Sequence, residues 1–162
     1  MDRSLDSVSC GFKLVLFEVL ARLVERTIPV LIVQTSRTLA EHQANLANGT
    51  SWTTLSKHLP RRLRLGSPPS NWADAVDSEQ CDAIDLAPYE IFLEHGPDKL
   101  NYDPSDPAWY AIGAIGEGLG LRWGGRWARK DLGHLEWLLP DEHYADIPPT
   151  SAAYAAHGGR KE

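Results

Sequence analysis

The segment Ala83-Ile84-Asp85-Leu86-Ala87-Pro88 constrains this chain most. Its apolar residues read as a short buried strand that Pro88 closes. Asp85 lies in the middle, where a carboxylate is costly unless it is paired or bound to a metal. Whatever fold forms must therefore bring other polar segments onto this strand.

Two segments can supply partners. Upstream lies Ser56-Lys57-His58. Downstream lies Lys130-Asp131-Leu132-Gly133-His134-Leu135-Glu136-Trp137, in which an acid precedes a histidine by three residues. His58 and His134 sit where strands or strand ends are predicted, and His95, His143 and His157 lie in polar segments that read as solvated. A catalytic zinc takes three protein ligands and leaves its fourth position open. The candidate ligands are His58, Asp85 and His134, with Asp74 and Asp77 as alternative carboxylates nearer to His58. Asp131 can serve as general base. Arg37, at the end of a predicted strand, can meet a developing oxyanion with fixed donors. Glu136, one strand alternation beyond His134, can support that ligand.

Length and charge narrow the rest. The 162 residues suit a single domain with a sizeable core. The net charge of −6 argues against nucleic acid as the main partner, because phosphate binding needs a basic face. No apolar run is long enough to span a bilayer, and the first residues do not resemble a signal peptide. A cytoplasmic protein, released to its substrate by other means, and a monomer are the expectations. Cys10 and Cys81 read as reduced thiols rather than a disulfide framework.

Along the chain, residues 11 to 26 carry apolar side chains at three- and four-residue spacing and read as a helix stopped by Pro29. Pro29 to Gln34 reads as a buried strand. A helix follows from about Leu39 to Asn48, capped by Thr35, Ser36 or Thr38. Residues 59 to 82, rich in Pro, Ser and Arg, read as a long inserted loop with Arg61, Arg62 and Arg64 on a solvated face. Asp106-Pro107 opens another helix that closes at Gly118 to Gly120. Trp123-Gly124-Gly125-Arg126-Trp127 reads as a glycine turn, and His134 to Leu138 as a strand. The expected organisation is one α+β domain over 1–140, a small antiparallel sheet flanked by helices, with a polar tail over 141–162.

Taken together, Ser-x-His, Ala-x-Asp, Trp-Gly-Gly-x-Trp and Asp-x-x-His-x-Glu resemble the zinc-dependent peptidoglycan peptidases over roughly residues 12 to 138. That family groups D-Ala-D-Ala carboxypeptidases and dipeptidases with endolysins that cut L-alanyl-D-glutamate bonds. The resemblance implies the D-Ala-D-Ala peptidase/hedgehog-like fold and a Zn2+ cofactor. It makes His58, Asp85 and His134 the ligands, Asp131 the base and Arg37 the group that steadies the substrate carbonyl. It also implies that Ser56 contacts substrate or supports the site. Trp123 and Trp127 are candidate substrate-binding aromatics, with packing as the other reading. His42 stands where the family often has glutamine and is not expected to be a ligand. His58 and Asp85 are farther apart than in the family's compact motif, which makes 59 to 82 an insertion. Peptidoglycan stem peptides are the implied substrate. An L-alanyl-D-glutamate endopeptidase is the leading expectation, with a D-alanyl-D-alanine carboxypeptidase or a non-catalytic wall-binding module as alternatives.

Overall fold

A computed structural model describes residues 1–54, 56–64, 77–90 and 99–138. The expected tail, Asp74, His95, His143 and His157 lie outside the described residues.

The first helix, α1 (Cys10–Glu25), buries Phe12, Leu16, Val19 and Leu23, the three- and four-residue stripe read from its sequence. Strand β1 (Val30–Gln34) follows. Helix α2 (Leu39–Ala47) starts at Thr38, whose hydroxyl accepts from the Glu41 N–H while the Glu41 carboxylate accepts from the Thr38 N–H. This reciprocal pair satisfies two backbone donors at the helix start. Next come a short helix α3 (Arg61–Arg64), strand β2 (Ala83–Pro88) and helix α4 (Pro107–Gly118), capped by Asp106. Strands β3 (Arg122–Trp123) and β4 (His134–Glu136) complete the described elements.

The four strands form an antiparallel sheet in the order β1-β2-β4-β3. This is the α+β arrangement read from the sequence, and the pleat divides it into two faces. Ile84 and Leu86 of β2, Leu135 of β4 and Trp123 of β3 join Phe12, Leu16, Ile112 and Ile115 in the main core. Helix α4 comes very close to the sheet through its small residues. A Cβ on Gly113 would stand 2.2 Å from the Trp123 ring, and one on Gly116 would stand 2.6 Å from Leu135. Alternate positions carry Gln34, Asp85, His134, Glu136 and Arg122, so the polar residues share the opposite face. The register places Asp85 directly across from His134, and Glu136 across from both Ala83 and Arg122.

Three expectations are corrected here. Residues 59 to 82 are not simply a loop, because they contain α3. Arg61 and Arg64 do not form a solvated face: they are buried against Asp82, which is fully buried. Arg61 donates to both Asp82 oxygens at 2.8 and 2.7 Å, Arg64 donates to Asp82 Oδ2, and the Ser9 hydroxyl donates to Oδ1 at 2.5 Å. Only Arg62 is exposed, paired with Glu79. The tryptophan-glycine stretch is more than a turn, since Arg122 and Trp123 pair with β4 and a 3-10 turn follows at Gly124–Arg126.

Candidate metal centre

Three side chains converge over the polar face of the sheet. His58 Nε2 lies 3.2 Å from Asp85 Oδ1 and 3.2 Å from His134 Nδ1, and His134 Nδ1 lies 3.0 Å from Asp85 Oδ1. Among the described residues this is the group whose ligand atoms could close on one ion, all of them lying within 4.8 Å of one another. Two of the three follow from register, because residues directly opposed on antiparallel strands project to the same face. His58 does not: it sits on a turn rather than the expected strand end. The turn is held by Arg37 N–H donating to His58 O at 2.9 Å, Asp82 N–H donating to Lys57 O at 3.0 Å, and Leu59 N–H donating to Ser56 O at 3.0 Å.

The outer nitrogens of both rings are engaged. His58 Nδ1 is 2.5 Å from the Thr35 carbonyl, and His134 Nε2 is 2.8 Å from Glu136 Oε2. A carbonyl and a carboxylate only accept, so each outer nitrogen carries the proton. In neutral rings, the two inner nitrogens then present lone pairs toward each other and toward the Asp85 carboxylate. Without a metal a proton on His134 Nδ1 fills the space between the three lone pairs, and a metal ion can take its place. Donors about 2.0–2.1 Å from a tetrahedral zinc stand about 3.4 Å apart, so this donor set fits that ion in type, number and spacing.

The electrostatics follow the same logic. Burial alone would depress the His134 imidazolium, but hydrogen bonds to Asp85 and Glu136 outweigh it and raise its pKa to about 10. Burial opposes the ionised Asp85, yet the adjacent His58 and His134 hold it far below the usual carboxylate range. Glu136, despite its burial, is held at about 2 by His134 and Arg122. Arg122 Nη1 donates to Glu136 at 3.3 Å.

Asp131 behaves differently. Burial, its largest influence, raises its carboxyl above the usual range, and His134 acts against that. It lines a cavity of about 290 Å³ together with Asp85, Leu86, Tyr102, Trp109 and Lys130. Two glycines set its place. A Cβ on Gly124 would stand 2.5 Å from Asp131 O and 3.0 Å from His134 Cβ. A Cβ on Gly133 would stand 2.6 Å from the Leu86 carbonyl. Both contacts exclude a side chain.

The other expected site residues divide. Arg37 sits on the His58 side and is not among the residues lining the cavity. Its Nη2 donates to Gln34 Oε1 at 2.6 Å, and its buried Nε has no hydrogen-bond partner among the described residues. Ser56 is buried and its hydroxyl accepts from the His58 N–H at 3.3 Å, which makes it a support of the His58 turn. Trp123 is 2% exposed and donates from Nε1 to Leu132 O at 2.8 Å. It belongs to the core, where its burial leaves no ring face open to a substrate. Trp127 lies 4.9 Å from the His134 ring and edge-on to the exposed Trp52 at 5.8 Å. Asp77 is engaged by Cys10 N and Arg61, away from the three ligands. His42 is buried on α2 and is not part of the group. Sequence reasoning missed Thr35, whose contribution is a backbone carbonyl, and Trp52, which has no motif of its own.

Residues 80–137, which carry Asp85, Asp131, His134 and Glu136, match the family model described as D-alanyl-D-alanine carboxypeptidase. The fold is similar to that of the L-Ala D-Glu endopeptidase ChiX of Serratia marcescens, with a TM-score of 0.53 and 16% sequence identity over 83% of each chain. No curated protein matches the chain significantly. The family model over residues 80–137 and the solved structure in its fold both agree with the peptidoglycan peptidase family that the motifs resemble.

Proposed function

We propose that this protein is a zinc-dependent hydrolase of peptidoglycan stem peptides, acting as an L-alanyl-D-glutamate endopeptidase. The observation that carries the reading is the meeting of His58 Nε2, His134 Nδ1 and Asp85 Oδ1 at 3.0–3.2 Å, with Asp131 in the adjoining cavity. His58, Asp85 and His134 would hold the zinc. When bound, the ion supplies Lewis acidity, which makes water and an amide carbonyl reactive near neutral pH.

The protein's own groups do the rest. Thr35 O and Glu136 fix the ring orientation of the two histidines, so their inner nitrogens stay unprotonated toward the ion. Asp131, its basicity raised by burial, takes a proton from the attacking water and returns it to the leaving amide nitrogen. Arg37, whose Nε–H is unpartnered among the described residues, offers its guanidinium to the carbonyl oxygen as charge develops. Trp127 beside His134 borders the substrate path.

The test is amino-acid analysis of digested walls. Endopeptidase action exposes new D-Glu amino groups. Release of terminal D-Ala without them would establish the second reading, a D,D-carboxypeptidase, which the description of the matching family favours. Wall binding without hydrolysis would leave only a binding module.

A further inference from the structure

Resting on that peptidase reading, we infer that Lys130 selects substrates bearing a carboxylate on the residue that follows the scissile bond. The cavity of about 290 Å³ has Asp85 and Asp131 in its wall, so it is the space beside the reacting atoms. The rest of its lining is largely apolar, including Val33, Leu86 and Trp109. The zinc would answer the charge of Asp85, but the Asp131 carboxylate still faces an anionic substrate, so a further cation in the lining favours its binding. Lys130 is the cation in that lining.

Arg37 lies on the His58 side, outside this lining, and other arginines are paired with acids. Arg122 pairs with Glu136, Arg126 with Glu117, and Arg61 and Arg64 with Asp82. Lys130 is exposed at the cavity and has no acidic partner among the described residues. It also directly precedes Asp131, the group that returns a proton to the leaving nitrogen. The substrate residue carrying that nitrogen therefore lies against the wall that carries Lys130. A lysine is a compact charge on a flexible stem, suited to meeting a single carboxylate without strict geometry. The carboxylate can be the α-carboxylate of a D-Glu following L-Ala, or the terminal carboxylate of a D-Ala-D-Ala end.

Four synthetic stem peptides separate these sources. Two contain L-Ala-D-Glu, with the D-Glu α-carboxylate free or converted to a primary amide, and two end in D-Ala-D-Ala as the acid or the amide. The zinc-loaded parent should cut one pair and favour its acid member about tenfold in kcat/KM, the size of a partly desolvated charge-assisted contact. Lys130→Met should abolish that preference, the loss appearing in KM for the acid peptide, and Lys130→Arg should restore it. Calorimetric binding of the D-Glu-headed product, or of D-Ala if the second pair is cut, should weaken in Lys130→Met by a similar factor. Persistence of the acid preference in Lys130→Met, or its absence in the parent, overturns this inference while the peptidase reading stands. Cleavage of neither pair by any of the proteins overturns both.

Discussion

Replacing Gly124 with alanine tests whether the glycine pair holds the base against the metal ligand. Gly124 does not have positive φ, so alanine brings no backbone strain and the effect is steric. The new Cβ would sit 2.5 Å from Asp131 O, about 0.9 Å inside ordinary contact, and 3.0 Å from His134 Cβ. Neither neighbour is the free end of a flexible side chain, so the 131–134 turn must move by several tenths of an ångström. Such overpacking costs about 1–3 kcal/mol. Misplacing a catalytic group by an ångström costs on the order of 10²-fold in rate. Gly124→Ala should therefore melt a few degrees lower, and its kcat/KM should fall about 10- to 100-fold. Steady-state kinetics on a purified stem peptide, with melting curves and zinc content, give the readout. Activity within twofold of the parent would refute the claim that this contact sets the separation of Asp131 and His134.

Other substitutions probe separate parts of the account. Asp131→Asn should lower kcat about 10²- to 10⁴-fold with zinc content unchanged. In the parent, the acid limb of kcat/KM should lie above the ordinary aspartate range, because burial raises the Asp131 carboxyl. Glu136→Gln should weaken zinc affinity about 10- to 100-fold, measured by competition with a chelator. Asp82→Asn should cost about 3–5 kcal/mol in denaturant unfolding, since it removes the buried carboxylate that Arg61 and Arg64 share and leaves Asp77 as the acid paired with Arg61. Burial opposes the ionised Asp82, but its bonds to Arg61 and the charge of Arg64 hold its pKa below the usual value. A depressed carboxylate contributes stability that is present above its unfolded pKa of about 3.9 and is lost as pH falls through the folded value. The gap between parent and Asp82→Asn should therefore narrow as the pH is taken below about 4.

The ligand residues were legible because their chemistry conflicts with their surroundings. Asp85 interrupts an apolar strand, and His134 and Glu136 alternate on another, so period-2 patterning places all three on one face. The stripe of α1 and the cap of α4 were legible for similar local reasons. Positions fixed by long-range pairing were not. Arg61 and Arg64 read as solvated because their partner, Asp82, lies 18 to 21 positions away with no periodic relation to them. Trp123 read as a possible substrate contact because sequence does not reveal which face of a two-residue strand meets α4. His58 owes its place to backbone bonds from Arg37 and Asp82, which leave no side-chain signature.

The central claim is that His58, Asp85 and His134 form a zinc site, and equilibrium zinc binding tests it most directly. The account predicts one zinc per chain, with affinity reduced by orders of magnitude in each of His58→Ala, Asp85→Ala and His134→Ala. Undiminished zinc binding in these variants, or no zinc binding by the parent, would contradict it.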